Sequence, residues 1–188
     1  MKWLKAFLAL LVVAACAAAA WQLVIPRYAC NRDKAIVNSW TIRLSRGSAE
    51  FERTSKAREL VDLCRRCLEH FPNDNEFHLL LASNLLFLGD TEGAEQSFLR
   101  SIALNQRPEA FAYLAVMQLE QGRMDEARKN LYYGALFNMT VVEAVSEPLR
   151  TEVATAVIAR HRSLGSSHAL DRWRRTRRPD PNRALPPQ

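Results

Sequence analysis

Cys64-Arg65-Arg66-Cys67 sets two thiols at CxxC spacing, with His70 three residues further on. A dithiol at this spacing can exchange with disulfides when a helix N-terminus or a cation lowers one thiol pKa. On that chemistry the chain would be a periplasmic thiol oxidoreductase using Cys64 and Cys67. The pair, however, falls in the middle of a helical pattern, at positions that face inward. That placement points to small buried thiols, or to a structural disulfide, internal or to Cys30. Cys64, Cys67 and His70 are three ligands and do not close a zinc site, and no second CxxC or histidine pair follows. Leu68 after Cys67 excludes the CxxCH haem attachment. There is no GxSxG, no phosphate-binding glycine loop and no HExxH. His161 and His168 lie near the end of the last helix and in the linker, where solvation is expected. No catalytic residue, metal or cofactor is expected, and the chain reads as a non-enzyme.

The second cluster is basic. Arg172, Trp173, Arg174, Arg175, Arg177 and Arg178 fall within the last eighteen residues, which hold six arginines against two aspartates, a net +4. Clustered guanidinium groups bind phosphates and acidic surfaces. An anionic lipid leaflet or an acidic protein surface suits this tail, as does plain solvation. Nucleic acid does not suit it outside the cytoplasm. The whole chain carries +6, so the remainder is only mildly basic.

The elements that must position these groups start with an apolar segment. Residues 6–25 are twenty positions without a charge, and Gln22 is their one amide. Twenty helical residues at 1.5 Å each match a hydrocarbon core of roughly 30 Å. Trp3 and Lys5 flank one end, and Trp21, Arg27 and Tyr28 the other, as interfacial belts require. Pro26 is expected to stop the helix where it leaves the bilayer. A single-pass anchor over residues 1–28 is the favoured reading, in contact with lipid through residues 6–25. Two others compete: a secretory signal cleaved after Ala18-Ala19-Ala20, and a lipoprotein signal, since Val13-Ala14-Ala15-Cys16 resembles a lipobox with Cys16 lipidated. Trp21-Gln22-Leu23-Val24-Ile25 stays apolar beyond both cuts, which favours the anchor. Lys2 and Lys5 nearly balance Arg27, Arg32 and Lys34 across the span. A short basic head ahead of a first span nevertheless usually stays cytoplasmic. The bulk of the chain is therefore expected outside the cytoplasm, in the periplasm of a bacterium with the anchor in the inner membrane, or on the outer membrane if Cys16 carries lipid.

Beyond the anchor, every element reads as helical, so the fold class is all-α. Ile36, Val37, Trp40 and Leu44 share one face of an amphipathic connecting helix over residues 33–47. Gly47-Ser48 interrupts it, with Ser48 as an N-cap. The next helix, over residues 49–70, gathers Phe51, Ala57, Leu60, Val61, Cys64, Cys67 and Leu68. Asn73 or Asp74 caps a helix over residues 75–88 that stops at Gly89. Asp90 or Thr91 caps the next, to residue 104. Pro108 opens another at a first-turn position, and Gly122 repeats the role of Gly89. A last helix, from Pro148 to Gly165, carries Leu149, Val153, Val157 and Ile158 on one side and Arg150, Glu152, Arg160 and Arg162 on the other. It suits a terminal cap on a repeat domain over residues 49–165. Residues 166–188, rich in Arg and Pro, form no fold of their own.

One unit is written twice between residues 76 and 138. Leu81-Ala82, Gly89, Ala94, Phe98 and Asn105 recur 33 residues later as Leu114-Ala115, Gly122, Ala127, Leu131 and Asn138. A fixed period in the thirties with two helices per unit marks a helical repeat array. These units resemble tetratricopeptide repeats. The glycines match the glycine between the paired helices, and Ala94 and Ala127 match the alanine of the second helix. Phe111, and His78 before it, take the usual tryptophan position. Ala82 and Ala115 stand where glycine is usual, Gln118 for tyrosine, and Gln106 and Met139 for the closing proline. The resemblance implies a concave groove lined by the first helix of each unit. Mapped here, it would present Leu79, Ser83 and Leu86, then Ala112, Tyr113, Val116 and Leu119. Such an apolar groove suits a hydrophobic or helical segment of a partner. The expected function is a membrane-anchored scaffold that assembles or stabilises a complex of membrane proteins. The lipoprotein form would instead assist pilus or secretin assembly.

Overall fold

The computed structural model describes residues 2–46 and 50–163. Among them are eight α-helices and no strand. The Ser48 cap, the Gly165 stop, residues 166–188 and the side chain of Phe51 lie outside the described residues. The chain divides into two compact units, Met1–Asn105 and Gln106–Gln188.

The first unit begins with α1 (Lys2–Ala19), a π-helical turn (Ala20–Val24) and α2 (Ile25–Ser45). Pro26 does not stop the helix, contrary to the sequence expectation. It occupies the first turn of α2, directly after the π turn, in which the Ile25 N–H donates to the Ala20 carbonyl five residues back. A proline in a regular helix clashes with the carbonyl four residues earlier. The wider π turn relieves that clash, so the chain stays helical from Lys2 to Ser45. The anchor and the connecting helix thus run together. No part of the apolar window of this stretch is buried, and it is long and apolar enough to cross a membrane.

α2 then turns one stripe inward. Cys30, Val37 and Leu44, spaced by seven, are its buried residues. Of the face read from sequence, Ile36 remains 42% exposed. Trp40 is half-buried, with Arg43 4.7 Å and Lys56 4.8 Å from its ring centroid, a cation on each contact. α3 (Glu50–His70) lies against α2 with Ala57, Leu60, Val61, Cys64 and Cys67 buried and Leu68 partly so. α4 (Asn75–Phe87) packs on α2 and α3, and α5 (Thr91–Leu104) on α4. Asp74 caps α4 by accepting from the N–H groups of Glu76 and Phe77, and Asp90 caps α5 by accepting from Gly93.

The second unit holds α6 (Pro108–Glu120), α7 (Met124–Phe137), a 3₁₀ turn (Met139–Ala144) and α8 (Leu149–Ser163). Leu131 and Ala135 of α7 share a core with Val141 and Val142 of the 3₁₀ turn and with Leu149, Val153 and Val157 of α8. Ile158 is only partly buried. Arg128 ties α7 to α8 by an ion pair to Glu152 at 2.7 Å.

The 33-residue period holds at every helix boundary of the two hairpins. α4 and α6 start at 75 and 108 and end at 87 and 120; α5 and α7 start at 91 and 124 and end at 104 and 137. Gly89 and Gly122 have φ of 76° and 75°, a left-handed conformation that glycine adopts without a Cβ penalty. Ala82, Ala94, Phe98, Ala115, Ala127 and Leu131 are all fully buried. The correspondence extends to a close helix contact. Ser101 donates to the carbonyl of Asn75 at 2.8 Å, and a Cβ on Gly134, 33 residues later, would lie 3.2 Å from the carbonyl of Pro108. It would also meet Phe111 Cβ at 2.9 Å. Gly134→Ala is therefore expected to push α6 and α7 apart and lower stability by about 1–3 kcal/mol, despite alanine's better helix propensity. Thermal unfolding in detergent checks this, and a variant as stable as the parent would show that the contact yields.

Candidate functional site

The cysteines resolve into two environments. Cys67 of α3 is bonded to Cys30 of α2, across a sequence separation of 37, with Cα atoms 5.6 Å apart. Both are buried. Cys64 remains a free thiol, fully buried one helical turn away, and burial pushes its pKa up to about 12. A nucleophilic thiol needs the opposite shift. In this arrangement Cys64 and Cys67 are not a reactive dithiol: one closes a staple, the other fills core. Cys16 is exposed on α1. No group of three or more His, Cys, Asp or Glu among the described residues could hold a metal ion.

Beside the staple lies a polar link that was not legible in the sequence. Lys34 of α2 reaches Asp74 at 2.7 Å and Glu76 at 3.3 Å, with its ammonium 4.9 Å from the Phe77 ring centroid. Burial raises the Asp74 carboxyl. The Lys34 hydrogen bond, the N–H groups of Phe77 and Glu76, and the Lys34 charge outweigh it and hold the pKa below the usual value. A carboxylate depressed in the folded state adds stability that is present above its unfolded pKa of roughly 3.9. That stability is lost as pH falls through the lower folded value. Asp74→Asn keeps a capping side chain but drops the charge. It is expected to be less stable than the parent at pH 7, with the gap narrowing as pH falls below the unfolded pKa toward the lower folded one. Urea titrations at pH 7 and pH 3 read this; a gap that stays constant would remove the ion pair from the account.

The groove residues fall in both units. In the first, Leu79, Ser83 and Leu86 are half-buried on α4, and Ser83 donates back to the Leu79 carbonyl at 3.0 Å. In the second, Ala112 belongs to the core, and Val116 and Leu119 pack against it. Tyr113 is the groove residue that stands out, at 51% exposed. Another apolar surface, not anticipated, is on α7: Tyr133 and Phe137 are 43% and 59% exposed, and Phe137 stacks on Phe111 with centroids 6.5 Å apart. Aromatics at positions 133 and 137 continue the helical spacing of the second repeat helix, which was the available signal. His161 is partly buried on α8. Arg172, Trp173, Arg174, Arg175, Arg177, Arg178 and His168 lie outside the described residues.

In comparisons with known proteins, no family model and no curated relative matches the chain. What the described residues show is their own geometry: helices without strands, one of them fit to span a membrane, a disulfide-stapled helix pair and two hairpins of equal period.

Proposed function

We propose that this chain is a single-pass, membrane-anchored scaffold of tetratricopeptide type that holds together or helps assemble a complex of membrane proteins. The observation that carries the reading is the 33-residue recurrence of hairpin boundaries, left-handed glycines and close helix contacts. Repeated hairpins of this kind offer partner-binding faces rather than catalytic pockets. The exposed apolar helix supports the anchor. Anchoring concentrates the repeats around membrane-embedded partners without any new contact. The Cys30–Cys67 bond supports an oxidising compartment for the bulk of the chain, hence the periplasmic side of an inner membrane.

The test is mass spectrometry of what co-purifies with the full-length protein from its native membrane in mild detergent. A stoichiometric set of membrane proteins is expected. Tyr113→Ala and Leu86→Asp are expected to release that set while helical content by circular dichroism is unchanged. Retention of the same partners by both variants would sink partner binding by the first helix of each hairpin, and a chain that purifies alone would sink the scaffold.

A further inference from the structure

The apolar surface of α1 does not end at the π turn. It runs into a cleft of about 300 Å³ between the start of α2 and the end of α3. Trp21, Ile25 and Leu63 form its apolar wall, and Arg66, His70 and Asp33 its polar rim. The Cys30–Cys67 bond lies in the same lining and fixes the two helices that form it. Trp21 and Ile25 are 72% and 49% exposed, continuous with the bare apolar face of α1.

Two features decide what belongs there. The cleft sits where the apolar helix gives way to the charged part of α2, at the depth of lipid headgroups if residues 6–25 span a bilayer. Its charge is also unbalanced. Asp33 is engaged by Arg32 at 3.2 Å. Arg66 and His70, one helical turn apart on α3, are exposed to the solvent side. Arg27 and Tyr28 are exposed at the same level of α2. The volume lies at the small end of ligand sites, enough for a polar headgroup but not for acyl chains. Those chains can remain in the bilayer along α1.

We propose that this cleft seats the headgroup of an anionic phospholipid from the adjoining leaflet, its phosphate on Arg66 and His70 and its glycerol region against Trp21, Ile25 and Leu63. The proposal rests on the membrane-spanning reading of α1. It assigns the lipid to residues of α2 and α3 rather than to the arginines at 172–178. A bound lipid would complete the seam between anchor and domain.

The experiment uses the full-length protein reconstituted in vesicles of phosphatidylcholine containing phosphatidylglycerol. Insertion is read by resistance to alkaline carbonate extraction. Lipid retained per chain is read by native mass spectrometry after transfer to mild detergent. The parent is expected to insert and to keep phosphatidylglycerol in preference to phosphatidylcholine. A basic side chain at an anionic surface is worth about a fivefold change in partitioning. Arg66→Gln is therefore expected to lower retained phosphatidylglycerol by about that factor. Arg66→Lys should keep it, and Arg65→Gln, which removes the same charge outside the cleft lining, should leave it unchanged. Failure to insert would overturn the membrane-spanning reading itself. Insertion with equal retention by Arg66→Gln and the parent, or equal loss in Arg66→Gln and Arg65→Gln, would overturn the cleft while leaving the anchor intact.

Discussion

Replacing Cys30 and Cys67 together by serine is expected to lower the unfolding free energy by about 4 kcal/mol, the largest effect foreseen for any exchange of polar-sized side chains. The bond closes a loop across a sequence separation of 37. Its main action is to restrict the unfolded chain, and the loop-closure relation gives about 4 kcal/mol for a loop of that length. The folded state adds to this, because each sulfur sits in a buried seam where a serine hydroxyl would need a partner. Denaturant titrations with and without reductant should show the loop-closure loss on reducing the parent and a somewhat larger loss on substitution, which adds the buried hydroxyls. Reductant should do nothing further to the double variant. Peptide mapping after alkylation gives the pairing directly: Cys16 and Cys64 should alkylate upon unfolding without reductant, and Cys30 and Cys67 only after it. Free alkylation of all four would sink the staple.

Phe98→Ala should be of similar size, about 3–5 kcal/mol. Phe98 of α5 is 0% exposed. Removing its ring leaves a void that the surrounding side chains fill only in part. Phe98→Leu provides the informative contrast. Leu131 occupies the same place one period later and is equally buried, so the second hairpin already makes that exchange. A loss below about 1.5 kcal/mol is expected for it. Thermal melts of both variants in one detergent suffice. If Phe98→Leu is as damaging as Phe98→Ala, the interiors of the two hairpins are not equivalent.

These two cases also show which parts of the molecule could be read in advance. Helix ends set by local chemistry were legible: the Asp74 and Asp90 caps, the glycine after each first helix, and Pro108 at a first turn all act within a few residues of themselves. The recurrence at 94, 98, 127 and 131 was legible as a 33-residue period, and their packed positions were implied by the resemblance to tetratricopeptide repeats. Pro26 was misread because its effect depends on the width of the turn before it, and hydrogen bonding five residues back leaves no trace in residue type. The 3₁₀ turn was missed because Val141-Val142 is too short to show a period. Cys30 and Lys34 act across gaps of about forty residues. Their partners were therefore among several open choices for the cysteine and entirely unseen for the lysine. The groove was inferred from a resemblance. Packing of Ala112, Val116 and Leu119 into the second unit's own core leaves Tyr113 as its most accessible member.

The uninterrupted helix through Pro26 has a mechanical consequence. α2 has 21 residues, about 30 Å of rod at 1.5 Å per residue. α3, also 21 residues, is fastened to its base at Cys67. With α1 in a bilayer, the rod sets the height to which the first unit can rise, and the fastening brings the far end of α3 back down to the headgroups. The first unit is thus held low and cannot swing out on a flexible tether. On the proposed scaffold reading, a partner would have to present its binding segment within one helix length of the bilayer surface.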